Sequence, residues 1–124
     1  MNSLIGLWLF TSIIYHDTPA PRPNPDLMMT FKFSESESVL HYYRKNQPGF
    51  CERTATYTYD GQTLHQTITA VHEGNADFCD KDPDMQMGAV SETPVVLKDG
   101  KIHMQLKLGE EDITYIWDPY APVR

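Results

Sequence analysis

The sequence predicts an all-β fold, an antiparallel up-and-down barrel of about eight strands, and three observations carry that expectation. The stretch Leu4-Ile5-Gly6-Leu7-Trp8-Leu9-Phe10 is apolar on both faces, so as a strand it has no side to give to water. Two Asp-Gly pairs, Asp60-Gly61 and Asp99-Gly100, each divide alternating runs, which is the strongest short hairpin signal. Elsewhere the apolar residues recur with a period of two, and no convincing helical pattern appears. An open sheet or a sandwich of the same strands is the alternative.

Size and charge narrow the field further. The chain has 124 residues, 40% of them hydrophobic, which fits a single domain over 1–124 with a real core. Its net charge of -7 repels phosphate backbones, and its Lys and Arg residues are scattered, so nucleic acid is not an expected partner. No apolar stretch is long enough to span a bilayer as a helix. Residues 4–14 have a length tolerable for the core of a secretion signal. No Lys or Arg precedes them, however, and the first positive charge is Arg22, so a strand is the better reading.

The elements follow in order. A first strand covers Leu4 to Tyr15. Prolines 19, 21, 23 and 25 then forbid helix and ladder pairing, which predicts an extended loop over residues 16–26. Leu27 to Phe33 alternates, with Met29, Phe31 and Phe33 on one face. Ser38 to Lys45 is a strand of ambiguous parity, because Leu40 and Tyr42 on one face oppose His41 and Tyr43 on the other. Asn46-Gln47-Pro48-Gly49 is a turn.

A two-residue turn at Asp60-Gly61 sets Tyr59 opposite Gln62, Tyr57 opposite Leu64, Ala55 opposite Gln66 and Arg53 opposite Ile68. The other face of that hairpin is nearly all Thr with His65 and Glu52, so it is the solvent side. Residues 72–84 read as an acidic loop. The next strand is expected from about Met85 to Leu97, with a break, bulge or edge-like position at Pro94. Asp99-Gly100 then sets Leu97 opposite Ile102 and Val95 opposite Met104. Strands to Leu108 and from Ile113 to Trp117 complete the set, and the last is expected to pair with the first.

Two cysteines allow one internal disulfide, Cys51–Cys79. The alternative is two unrelated thiols in a cytoplasmic protein. The bond is favoured because Cys79 stands in a polar loop where a free thiol has little to pack against. It closes a loop of roughly thirty residues, worth about 3–4 kcal/mol in the chain-entropy view. It would place the protein in a periplasm or outside the cell.

Gly6-x-Trp8 in the first strand, and the meander ending in Ile113-Thr114-Tyr115-Ile116-Trp117, resemble the lipocalin-like or calycin barrels of bacterial type. The resemblance implies that Gly6 and Trp8 plug one end of the barrel. It also implies a basic cover for Trp8, for which Arg124 is the nearby candidate because the last strand contains no Lys or Arg. The C-terminal helix of larger lipocalins is absent, as is the Trp-rich pocket of avidin-type barrels, since only Trp8 and Trp117 are present. The expected role is a non-enzymatic, extracytoplasmic binding protein for a small apolar molecule. The alternative is a protein-binding module of inhibitor or immunity type, working through the proline-rich loop and through Asp77, Asp80, Asp82 and Asp84.

Arg53 is the most informative candidate residue. The hairpin puts it among Cys51, Ala55 and Tyr57 on the interior face, and a guanidinium cannot escape burial by losing its proton. Inside, it needs an anion, for example a ligand carboxylate held bidentately. Otherwise it forms an internal ion pair, or lies near the rim with its head in water, the commoner fate of such side chains. Gln66 would add a polar contact at the same level. Tyr42, Tyr57 and Tyr115 offer hydroxyls, though ordinary packing with the hydroxyl at the mouth is their usual role. Phe31, Phe33 and Met104 supply apolar lining. Asp80-x-Asp82-x-Asp84 opens like a calcium loop, but Met85 and Ser91 stand where Gly and Glu are needed, so a solvated loop is expected and no metal. No cofactor motif and no nucleophile–base arrangement can be argued.

Overall fold

The computed structural model describes residues 3–121. Among them are nine antiparallel strands: β1 Gly6–Tyr15, β2 Thr18–Pro21, β3 Leu27–Phe33, β4 Glu37–Arg44, β5 Cys51–Tyr59, β6 Thr63–Val71, β7 Val90–Lys98, β8 Lys101–Leu108 and β9 Glu111–Pro119. β1 and β3 to β9 close into an eight-stranded barrel, because β1 pairs with β3 on one side and with β9 on the other. The open-sheet alternative therefore falls. A bulge at Thr11, between Phe10 and Ser12, shifts the β1–β9 register. It explains how Trp8, Phe10 and Ile13 can all be buried, a spacing that an unbroken strand cannot supply.

β2 is the extra strand, and it corrects the expectation of a loop without pairing. His16 and Asp17 turn the chain at φ 51° and 61°, and Thr18–Pro21 then pairs with Ser12–Tyr15. In a two-residue hairpin the flanking pair exchanges both ladder bonds. Thr18 and Ala20 therefore face β1, and the missing N–H groups of Pro19 and Pro21 fall on the open edge, where none is needed.

Both Asp-Gly pairs make hairpins, with different turns. At Asp99-Gly100 both residues have positive φ, 56° and 76°, and Leu97 meets Ile102 as the two-residue turn requires. At Asp60 the carboxylate accepts from the N–H groups of Gln62 (2.9 Å) and Thr63 (2.7 Å). This local turn draws two more residues into the loop. Tyr59 therefore meets Leu64, Tyr57 meets Gln66 and Ala55 meets Ile68, two residues away from the expected register. An even shift keeps every side chain on its face, so Arg53, Ala55 and Gln66 remain inside. A bulge after Thr54 then sets Arg53 opposite Val71.

Met85 does not begin a strand. Two short 3-10 turns, Asp77–Lys81 and Pro83–Met85, precede β7, the second capped by the Asp82 side chain accepting from the Asp84 N–H. At Pro94 the strand itself is unbroken, but its pairing changes. Residues 90–94 pair with β6, whereas the ladder to β8 begins only at Val95. Proline has no N–H with which to extend that ladder. The β7–β8 seam is therefore left unzipped toward one end of the barrel.

The two ends differ. Leu4, Trp8, Phe33, Leu64 and Ile102 fill one end and are all buried. The other end is ringed by the β3, β5, β7 and β9 starts and the β4, β6 and β8 ends, and the segment between β6 and β7 folds beside it.

Candidate functional site

The site grows from β5. Arg53 lies between the fully buried Cys51 and Ala55 and is itself only 4% exposed. Its Nη1 donates to Ser38 Oγ (3.0 Å) and its Nη2 to Gln66 Oε1 (3.4 Å), while Ser38 Oγ donates to the same Gln66 oxygen (2.6 Å). The guanidinium carbon stands 5.2 Å from the centre of the Phe31 ring. All these partners are neutral, and none of the ion pairs among the described residues includes Arg53. Burial draws Arg53 down to about 10, against the opposing pull of Asp84 and Asp82, so it remains a cation at neutral pH. Two buried side-chain nitrogens have no partner among the described residues, Arg53 Nε and Trp117 Nε1.

Both belong to residues lining a chamber of about 360 Å³ in the open half of the barrel, together with Gln66, Phe31, Met104 and Tyr115. Ser91 and Thr93 of β7 and Leu106 of β8 also line it, so the chamber abuts the unzipped seam. A wider vestibule of about 760 Å³ lies outside it, bounded by residues such as Tyr42, Tyr43, Phe78 and Asp82. Met29, Leu40, Asp84, Leu106 and Tyr115 line both spaces and form the throat between them.

One wall is the strap between β6 and β7. Cys51 and Cys79 are bonded, with 5.7 Å between their Cα atoms, which ties the strap to the start of β5. Asn75 exchanges side-chain hydrogen bonds with the backbone of Glu52, and the Ala76 N–H donates to the Phe50 carbonyl. Tyr42 Oη donates to Asp82, Gln86 Nε2 donates to the Asp80 and Asp82 carbonyls, and Met85 is buried in the core. The disulfide is consistent with an oxidising, extracytoplasmic compartment. Among the described residues no helix is long and apolar enough to cross a membrane.

The predicted residues separate by depth. Arg53, Gln66, Phe31, Met104 and Tyr115 meet at the chamber, and Tyr42 stands in the vestibule. Phe33 and Tyr57 lie a layer deeper, where Phe33 stacks on Phe31 at 4.7 Å and Tyr57 reaches the Ser34 carbonyl at 2.5 Å. Gly6, at φ 139°, pairs with Phe33, and the Trp8 indole N–H donates to the Leu4 carbonyl at 2.8 Å. Arg124, the expected cover for Trp8, lies outside the described residues. Asp77, Asp80 and Asp84 are exposed and Asp82 is half-buried, held by Tyr42, while Asp84 also lines the throat.

Ser38 and Trp117 are not assigned to the site from the sequence, and Asp84 is singled out there only as part of the acidic loop. The first was within reach. Once Leu40 is known to face inward, Ser38 must share its face. Asp84 keeps contact with water, yet it sits in a recess. Burial raises its carboxyl above the usual range, the Asp82 charge adds to that, and Arg53 opposes it. The folded chain therefore binds this proton more tightly than the unfolded one. The resulting penalty is present at neutral pH and vanishes as pH falls through the raised value and then the unfolded one. Asp84→Asn should raise the thermal midpoint at neutral pH and match the parent chain at about pH 3. Paired melting curves at the two pH values check this, and equal midpoints at neutral pH would show the carboxylate to be fully hydrated.

The geometry defines a class: a closed β-barrel with a plugged end, an open end and an internal chamber holding an unpaired cation. No family model matches the chain, and no curated protein matches it. Among solved structures it is similar to a lipocalin-like protein from Bacteroides uniformis ATCC 8492, with a TM-score of 0.60 at 14% identity, covering 93% of this chain and 97% of that one. The fold of this chain is thus the lipocalin-like barrel.

Proposed function

We propose that this protein is a non-enzymatic, extracytoplasmic binding protein, periplasmic or secreted, that takes a small apolar molecule carrying a carboxylate. The single observation behind this reading is Arg53: a buried cation that lines the chamber, has only neutral hydrogen-bond partners and keeps an unpartnered Nε. Removing a guanidinium from water costs several kcal/mol, and neutral acceptors recover only part of that. A ligand carboxylate would recover more through short, charge-assisted bonds. Ser38 and Gln66 orient the guanidinium, and Trp117 offers a second N–H. Phe31, Met104 and Tyr115 cover the apolar part, Phe33 and Tyr57 support Phe31 from below, and Tyr42 lines the approach. The groups gathered here hold and orient, and none is a nucleophile set beside a base. The disulfide supports the compartment.

Titration calorimetry with a long-chain alkyl carboxylate and the primary alcohol of equal length tests the reading. The carboxylate is expected to bind at least about ten-fold more tightly, the value of a charged hydrogen bond. Equal affinities would remove Arg53 from recognition, and no binding of either would defeat the chamber as a site.

A further inference from the structure

The chamber and its throat hold a cation and an anion that do not meet. Arg53 and Trp117, 4% and 2% exposed, both line the chamber, and each carries a buried N–H with no partner among the described residues. Asp84 lines both the chamber and the vestibule, and its side chain takes part in none of the hydrogen bonds or ion pairs among the described residues. Its neighbour Asp82 is different, being engaged by Tyr42 Oη and by the Asp84 N–H. Phe31, Leu40, Met104 and Leu106 give the same chamber apolar lining, beside the polar Gln66, Ser91 and Thr93. A plain alkyl carboxylate satisfies only half of this arrangement. Its tail would leave through the throat past the Asp84 carboxylate, which keeps contact with water and gains no partner from it.

We infer that the ligand is a two-headed amphiphile, with a carboxylate seated on Arg53 and Trp117, an apolar middle, and an ammonium at Asp84. This deepens the proposed binding role and rests on it. Each charge in the site then has a counter-charge on the ligand, the donors left open inside are filled, and the complex adds no net charge to the chamber. Asp84 becomes a specificity residue. It favours a cationic second head and disfavours a molecule that brings an anion alone.

The test uses the whole disulfide-bonded chain and two matched probe series, alkyl carboxylates and ω-amino carboxylates of increasing chain length, titrated against the parent, Asp84→Asn and Arg53→Met. At the best length the ω-amino acid is expected to bind more tightly than the plain carboxylate. Asp84→Asn should reverse that order, weakening the ω-amino acid about ten-fold and strengthening the plain carboxylate. Arg53→Met should weaken both series. If plain carboxylates bind through Arg53 while the ω-amino acids are weaker at every length and Asp84→Asn leaves the order unchanged, the two-headed ligand is wrong and the carboxylate site stands. If neither series binds, both readings fail.

Discussion

Replacing Cys51 and Cys79 together by alanine should lower the free energy of unfolding by about 3–4 kcal/mol, the loop-closure term for a bond of this span. The two residues are 28 apart in sequence, and both are buried, at 0% and 1% exposure. A loss of that size is a large fraction of a typical domain stability of about 5–15 kcal/mol. It should also be uneven. The β-ladders of the barrel do not run through the bond, whereas the strap of residues 72–89 is fastened by it at its middle. The remaining ties include the Asn75–Glu52 pair, the His72 N–H on the Glu52 carbonyl, the Ala76 N–H on the Phe50 carbonyl, the bonds of Gly88 and Ala89 to the Ile68 backbone, Tyr42 on Asp82, and the burial of Met85. In the variant the strap should open before the barrel does. Urea unfolding measures the total, and hydrogen exchange of amides 77–85 against those of β5 and β6 measures the asymmetry. An unchanged urea midpoint would mean that the denatured chain is already compact around these residues, so that the cross-link removes little freedom. Because Asp82 and Asp84 ride on the strap, the same variant should lose ligand discrimination before it loses the Arg53 contact.

Most of the barrel was legible in the sequence because its signals are local. Alternation in Leu27–Phe33 and the turn at Asp99-Gly100 each fix a strand and a register within a few residues. The misses came where a side chain or a distant pairing decides the outcome. Asp60 has the same Gly neighbour as Asp99, yet its carboxylate captures two N–H groups and lengthens the turn. His16-Asp17 makes a tight turn with no glycine, so β2 had no flag, and its alternate prolines read as a barrier to pairing when they bar only one edge. The inner face of β5 followed from pattern alone, and it survived the wrong register because the error was even. The throat did not follow. Asp84 reaches it only through the turn capped by Asp82, on a strap whose path is set by a disulfide to another strand. Trp117 read as the end of a strand, and nothing in its neighbours says that its N–H would be left without an acceptor.

Arg53→Met should separate function from stability in opposite directions. If Arg53 serves the ligand, the free protein carries its desolvation cost without full compensation, and removing the charge relieves it. Methionine fills a similar apolar volume and adapts to irregular space. The Ser38–Gln66 bond of 2.6 Å does not depend on the guanidinium and can persist. The variant forfeits two hydrogen bonds to neutral oxygens and the contact with the Phe31 ring, about 0.5–2 kcal/mol for the last. Relief of the buried charge outweighs this in comparable replacements by apolar residues, which are neutral or stabilising by about 1–4 kcal/mol. Stability should therefore hold or rise, while affinity for an alkyl carboxylate falls about ten- to a hundred-fold. Arg53→Lys should fall between the two, because an ammonium keeps the charge but loses the planar fork. Arg53→Ala is the poorer test, since an emptied core position destabilises for reasons unrelated to charge. Denaturant midpoints and calorimetric titrations on the same preparations decide the matter. A methionine variant that loses more than about 2 kcal/mol of stability would make Arg53 a structural keystone, and the chamber would then have to recognise its ligand by shape and the Trp117 N–H alone.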